Sequence, residues 1–146
     1  MICVTCFSER PRILCYNSII ETIKKGKIMQ YIMINDDGDK FYSRNKEMTI
    51  RHREDGPAIE YVDGYKAWYI NGKLHRKDGP AIERASGDKD WYCNGERHRE
   101  DGPAVERAND GKAWFINDKC YSERDYWKEL YKRGKISQEE LVLELL

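Results

Sequence analysis

Along most of this chain, apolar and polar residues alternate within short segments that are rich in β-forming side chains. In residues 58–62 and 66–70 the side chains alternate and Ile, Val, Tyr and Trp are frequent, which is typical of strands with one buried face. Asp63-Gly64 and Asn71-Gly72 bound such segments, and Asn-Gly favours a type I′ turn because both residues accept positive φ. The pattern predicts antiparallel β-hairpins.

The hairpin pattern recurs with a period of 23 residues. The block His-Arg-Glu-Asp-Gly-Pro-Ala at 52–58 returns with small changes at 75–81 and 98–104, and one tryptophan per unit keeps the same spacing. Proline has no N–H for a central strand, so the Asp-Gly-Pro part is expected to connect one unit to the next. A fixed period of this length predicts a stacked array in which each unit buries its apolar face against a neighbour.

The predicted array covers residues 29–121 and contains about four units, of which the first is irregular. In that first unit, residues 30–34 predict a strand and 35–38 a turn, and about three extra residues are expected in a loop near 43–47. In the third regular unit the turn glycine moves from the aligned position 110 to Gly111. This shift predicts a turn of a different type there.

The segment 1–28 does not follow the repeat. Ser18 and Glu21 have the spacing of a capping box, and three isoleucines form one apolar stripe, so the pattern predicts a short helix from Ser18 to Lys25. Such a helix could cover the open edge of the array. The alternative is a loosely held leader.

After residue 121 the pattern changes to one typical of helices. Ser122 with Asp125, and Ser137 with Glu140, mark two helix starts, each followed by spaced apolar residues. Residues 122–146 are therefore predicted to form a C-terminal helical cap. The expected fold is mainly β, an antiparallel β-hairpin repeat meander with short capping helices at both termini.

Composition narrows the functional classes without choosing among them. The chain has 26 basic and 26 acidic residues in 146, so it has no net charge to attract nucleic acid or an anionic membrane. No apolar run approaches the roughly 18–20 residues that a membrane span needs. The five cysteines include a single Cys3-x-x-Cys6 pair without a second pair. We therefore expect reduced thiols, a cytoplasmic location, and no metal or cofactor.

The repeated motif resembles that of the MORN-repeat variant family, in which Trp-Tyr-x-Asn-Gly is followed by His-Arg-x-Asp-Gly-Pro-Ala. The resemblance covers about residues 30–125. Members occur in tailed phages, in large DNA viruses and in bacterial proteins labelled antitoxin-like. The resemblance implies a MORN-like hairpin meander and a binding role, which for a viral protein would be exercised in the host cytoplasm. It supplies no catalytic residues.

Aromatic and cationic side chains recur once per unit and are the candidate binding residues. They are Trp68, Tyr69, Trp91, Tyr92, Trp114, Phe115, Arg53, Arg76 and Arg99. The first hypothesis is a non-catalytic scaffold that uses these residues to hold a protein partner, either a host factor or a toxin. The second is a nucleic-acid-binding module in which the rings stack on bases and the arginines contact phosphates. In a third interpretation the rings only form the core between stacked hairpins.

The histidines and aspartates of the repeated block are assigned a structural role. They are His52, Asp55, His75, Asp78, His98 and Asp101. Because catalytic sites are usually single and combine different residues, a set repeated in every unit favours a role in the fold. Each histidine is expected to bond the aspartate of its own connector. The alternative is an enzyme that uses the His and Asp pairs; no catalytic residue is assigned.

Overall fold

A computed structural model describes residues 21–25 and 28–146, which form short strands followed by two helices. Three strands precede the regular units: β1 (Glu21–Lys25), β2 (Ile28–Ile34) and β3 (Lys40–Ser43). The later strands are β4 (Ile59–Glu60), β5 (Lys66–Ala67), β6 (Tyr69–Ile70), β7 (Lys73–Leu74), β8 (Ile82–Glu83), β9 (Lys89–Asp90), β10 (Tyr92–Cys93), β11 (Glu96–Arg97), β12 (Val105–Glu106), β13 (Lys112–Ile116) and β14 (Lys119–Tyr121). The helices are α1 (Glu123–Lys132) and α2 (Gln138–Leu145).

Ten of the described strands form one antiparallel sheet along which the chain advances by successive hairpins. Their order is β1-β2-β3-β4-β5-β8-β9-β12-β13-β14. Beside this sheet, β6 pairs with β7 and β10 pairs with β11 as two separate hairpins. The prediction of a mainly β, antiparallel hairpin meander with helices at its C-terminal end is confirmed.

In the first two regular units the predicted second strand is divided at its tryptophan, whereas in the third unit β13 continues through Trp114. In segment 66–70, β5 belongs to the large sheet and β6 to a small hairpin. The Trp68 backbone takes part in both ladders. Its N–H donates to the Ala81 carbonyl beside β8 of the large sheet at 2.8 Å, and its carbonyl accepts from the His75 N–H beside β7 of the small hairpin at 3.0 Å. Trp91 repeats the arrangement one unit later. The alternation of faces expected along this segment is therefore interrupted at the indole, which lies between the two ladders.

Small and branched side chains face one another in register inside the large sheet. Ala67 pairs with Ile59 on one side and Ile82 on the other, and it is fully buried. The alanine that ends each repeated block is buried to the same extent. These residues are Ala58, Ala81 and Ala104. A larger side chain would overfill so closely packed an interior, which explains why alanine recurs at these positions.

The turns between neighbouring strands of the large sheet have one conformation in all three regular units. Gly64 and Gly87 have φ of 95° and 92°, and Asp110 takes φ of 64° at the aligned position. The Asp110 N–H donates to the carbonyl three residues earlier at 3.0 Å, as the Gly64 N–H does. The expected change of turn type at Gly111 is therefore wrong. Aspartate accepts the left-handed conformation because its short polar side chain tolerates it.

The irregular first unit carries its extra residues where the sequence places them. Strand β3 ends at Ser43, which forms an isolated bridge with Arg51 across the loop. Within the loop, Asn45 Oδ1 accepts hydrogen bonds from the N–H groups of Thr49 and Ile50 at 3.1 and 3.0 Å. One asparagine side chain thus closes the insertion.

The helix predicted from Ser18 to Lys25 is wrong for the part that the structure describes. Residues 21–25 form β1, which pairs along its full length with β2, so that Ile23 stands opposite Gln30. A neighbouring strand rich in β-formers offers this segment a hydrogen-bonded edge, and such a tertiary context overrides a weak local helix preference. Residues 1–20, which include Cys3, Cys6 and the start of that helix, lie outside the described residues.

Both C-terminal helices begin at the predicted residues. Ser122 Oγ accepts from the Asp125 N–H at 3.2 Å, and Ser137 and Glu140 form a complete capping box. The apolar face of α1 packs on the last hairpin, where Ile116 is 1% exposed. Neither helix, nor any other in the described part of the chain, has the length and apolar character that crossing a membrane requires.

Candidate functional site

An arginine stacked on an aromatic ring holds each connector between units. The Arg76 Cζ lies 4.0 Å from the centre of the Trp68 ring. Its Nη1 donates to the Pro80 carbonyl at 3.1 Å and to Glu83 Oε1 at 2.7 Å. The guanidinium therefore joins the indole, the connector backbone and a strand carboxylate in one contact.

The other two candidate arginines repeat this contact. Arg53 lies 3.9 Å over Tyr42, and Arg99 lies 4.0 Å over Trp91. Each donates to the glutamate seven residues later, at 2.6 and 2.7 Å. Burial opposes the charged form of Arg53, but hydrogen bonds, first of all to Asp55, raise its pKa above the ordinary value. The three arginines assigned to the binding surface are thus already paired within the chain.

The glycine of each Asp-Gly-Pro connector lies against the guanidinium. A Cβ added to Gly79 would lie 3.1 Å from Arg76 Cζ. A Cβ added to Gly56 would lie 2.8 Å from Arg53 Cζ, and one added to Gly102 would lie 3.2 Å from Arg99 Cζ. These distances are shorter than ordinary carbon contacts, so the repeated Arg-x-Asp-Gly sequence reflects a packed stack. The aspartate completes it in two units, where Asp55 and Asp101 accept from the arginine Nε.

The histidines tie each connector to the hairpin of the next unit. His52 Nδ1 accepts from the Asn71 N–H at 3.0 Å, and His75 Nδ1 accepts from the Asn94 N–H at 3.1 Å. His98 makes the corresponding contact at 3.3 Å. The expectation that each histidine bonds the aspartate of its own connector is wrong, because arginine takes that aspartate in two units. The histidine ring instead pairs a turn N–H that hairpin geometry leaves without a partner.

All six candidate rings are half-buried, with neither the full burial of a core nor the exposure of a free platform. The Trp68 and Trp91 rings are covered by arginines, and Trp114 packs against the cluster under α1. In the second row, Arg97 lies 5.6 Å from the Tyr92 ring and 5.4 Å from the Phe115 ring. Tyr69, the remaining member, packs against the core cluster of the first units.

Between successive connectors the surface forms two grooves. Groove 1, about 540 Å³, lies between connectors 53–56 and 75–78, above Trp68 and Ile70. Groove 2, about 750 Å³, lies between connectors 75–79 and 98–101, above Trp91, Tyr92 and Cys93. We call the surface formed by these three connectors and both grooves the connector face. Its walls carry basic and acidic side chains side by side, and its floor is aromatic and apolar.

One charged cluster was not found from the sequence. Asp90 is 2% exposed inside the large sheet, where it pairs with Arg84 and lies 3.0 Å from Arg107 Nη1. The hydrogen bond to Asp90 raises the pKa of Arg84. The repeat alignment could have predicted the burial of Asp90, because Asp90 stands one period after Ala67, which occupies an interior position. A carboxylate there needs two cations to offset its loss of hydration.

No part of the described chain brings together three or more His, Cys, Asp or Glu side chains that could hold a metal ion. No protein-family model, curated protein sequence or solved structure matches this chain. The resemblance to MORN-repeat variants therefore depends on the repeated motif, and functional inference depends on the geometry above.

Proposed function

We propose that this protein is a non-catalytic repeat scaffold that binds a protein partner through the connector face. The observation that carries the proposal is the pair of grooves of about 540 and 750 Å³, repeated one unit apart. Grooves with an apolar aromatic floor and a rim of mixed charge match the composition of protein–protein contact surfaces. Two such sites on one rigid array would allow one partner to be held at two points.

The charges on the connector face favour a protein over a nucleic acid. Phosphate recognition needs cations that are free to contact the backbone. Arg53, Arg76 and Arg99 each bond a carboxylate inside the chain. The rim of groove 2 also places Glu100 and Asp101 opposite the basic residues, and these acids would repel a phosphate chain. A protein surface, which offers both signs of charge, is the better complement.

The biological setting is part of the same proposal. Membership of the MORN-repeat variant family, suggested by the 23-residue motif, would place the chain among phage, viral or antitoxin-like binding proteins. In each of these settings a scaffold without chemistry of its own acts by occupying a host factor or a toxin.

An affinity capture with paired charge variants tests the proposal. The native chain, Lys77→Glu and Asp37→Lys are immobilised and exposed to lysate from the source organism and, for a viral gene, from its host. Lys77 is exposed on both grooves, and Asp37 is exposed in the first turn, outside them. We expect one protein to be retained by the native chain and by Asp37→Lys and to be recovered in smaller amount with Lys77→Glu. Capture that is indifferent to Lys77, or no capture, would count against the proposal.

A further inference from the structure

Helix α1 occupies, in the third regular unit, the place that corresponds to the two open grooves. Each groove lies between two successive connectors, and the tryptophan segment that separates them forms its floor. One period later, the corresponding residues are connector 98–102 and segment 114–116. Ile116, which aligns with Cys93 of groove 2, is 1% exposed beneath α1, whereas Cys93 is half-buried. The chain therefore contains an example of a helix seated on its own repeated surface.

A single tyrosine anchors that helix to the connector. Tyr126 is fully buried, and its hydroxyl donates to the Arg99 carbonyl at 2.7 Å. The same hydroxyl accepts from the Gly102 N–H at 3.2 Å. The ring packs edge-on against Trp127 with centroids 4.9 Å apart. One side chain thus pairs two connector groups and fills the space above the floor.

Within residues 21–25 and 28–146, the matching backbone groups of the open grooves have no protein partner. Gly79 and Gly56 align with Gly102, and among the described residues their N–H groups donate to no protein atom. The carbonyls of Arg76 and Arg53, which align with that of Arg99, likewise accept from none. Gly56 and Gly79 are half-exposed, whereas Gly102 is buried under α1. The donor–acceptor pair that binds Tyr126 is therefore presented twice more.

We propose that each open groove binds a tyrosine displayed by a helix of the protein partner, in the way that the third unit binds Tyr126. This inference rests on the proposed function and specifies the chemistry of the partner. A phenol fits the pair because its hydroxyl donates and accepts at once while its ring covers an apolar floor. Phenylalanine would leave both connector groups unpaired, so the groove selects tyrosine over phenylalanine.

The residue between arginine and aspartate in each connector adds a second preference, for the charge of the residue that follows the bound helix. In the third unit, Glu100 pairs with Lys135, which follows α1, at 3.1 Å. The aligned residue is Glu54 in groove 1 and Lys77 in groove 2. Groove 1 should therefore favour a helix followed by a basic residue, and groove 2 one followed by an acidic residue.

The test uses the full chain labelled with ¹⁵N and a peptide of residues 122–136. The peptide is stapled between positions 128 and 132, because both side chains are exposed on α1 and a short helix is unstable alone. We expect the amide signals of Gly56 and Gly79 to shift in a saturable manner while that of Gly102 stays unchanged. A Tyr126→Phe peptide should bind about tenfold more weakly, the loss expected for one hydroxyl with two bonds.

The same titration also tests the preference of each groove for a basic or an acidic residue after the helix. The peptide should occupy groove 1 about two- to threefold more tightly than groove 2, and a Lys135→Glu peptide should reverse that order. In the Lys77→Glu protein the original peptide should bind groove 2 more tightly than it does in the native protein. Because these exposed pairs are weak, the two grooves are compared within one sample.

Two outcomes would overturn the inference: no shift at Gly56 or Gly79 up to about 1 mM peptide, or equal affinity for the tyrosine and phenylalanine peptides. Either result leaves the proposed function open to its own test, because a captured protein that depends on Lys77 would show that the connector face binds a partner by another contact. Capture that does not change in the Lys77→Glu variant would contradict both the proposed function and this inference.

Discussion

Replacing Tyr126 by phenylalanine removes one oxygen from the contact that fixes α1 to the array. The hydroxyl is fully buried and makes hydrogen bonds of 2.7 and 3.2 Å to the Arg99 carbonyl and the Gly102 N–H. Without it the buried Gly102 N–H and the part-buried Arg99 carbonyl both lose their hydrogen-bond partner, and each such loss is unfavourable. We expect Tyr126→Phe to lower the free energy of unfolding at pH 7 by about 1–3 kcal/mol.

The same contact gives the native protein a specific loss of stability in alkali. Burial raises the pKa of Tyr126 from 10.0 to about 12. The unfolded chain therefore releases this proton at lower pH than the folded chain does. The stabilisation is fully present below pH 10 and is lost as the pH rises towards 12, by about 2–3 kcal/mol in total. Tyr126→Phe lacks this component.

Urea unfolding followed by circular dichroism measures both effects. The quantity to follow is the difference between native protein and variant from pH 7 to pH 11.5, because other buried tyrosines affect both proteins equally. That difference should shrink above pH 10. Tyr131→Phe is the control, since Tyr131 lies on the same helix and is 44% exposed. If Tyr126→Phe unfolds within about 0.5 kcal/mol of the native protein, the reasoning is refuted.

Three further substitutions test the connector stack and the buried charge. Arg76→Ala should destabilise the fold by about 2–3 kcal/mol, because Glu83 and the Trp68 ring lose their cation, whereas the neighbouring Lys77→Ala should change it by less than about 0.5 kcal/mol. Gly79→Ala should cost about 1–3 kcal/mol through its contact with the guanidinium; a neutral result would contradict the stack. Asp90→Ala should cost about 1–3 kcal/mol. A double variant that also carries Arg84→Tyr, the residue that Tyr61 provides at the aligned position of the first regular unit, should recover part of this loss in urea unfolding.

The sequence predicted what depends on local chemistry. A type I′ turn requires positive φ at both central residues, which Asn-Gly accepts, so the Asn-Gly turns could be placed residue by residue, as at Asn71 with φ of 51°. Serine followed three residues later by an acidic residue marked both helix starts. The 23-residue period gave the array itself, because identical units must bury equivalent faces.

The sequence did not predict what depends on contacts between units. The division of the second strand at Trp68 and at Trp91 follows from a second ladder that no alternation pattern reveals. The histidines bond backbone groups 19 residues away, and side-chain chemistry alone does not distinguish these partners from a nearer aspartate. The strand at 21–25 likewise forms because β2 offers it an edge.

The candidate binding residues were only partly recognisable for the same reason. Their recurrence indicated a surface repeated in every unit, but Arg53, Arg76 and Arg99 turned out to hold that surface together. In the proposed function, the groups that face a partner are the groove floor, whose rings recur in the sequence, and the connector backbone, which has no sequence signature. Tyr126 is one of the spaced apolar residues after Ser122 that predicted a helix, and its hydroxyl contact depends on a connector 24–27 residues earlier.

The most direct measurement of the central claim is amide hydrogen exchange of the chain alone and in complex with a captured partner. We predict slower exchange in connectors 53–56 and 75–79, with no change at the turns near Gly38 and Gly111. Protection confined to those turns, or to α2, where Leu143 is 71% exposed, would contradict the assignment of the connector face as the binding surface.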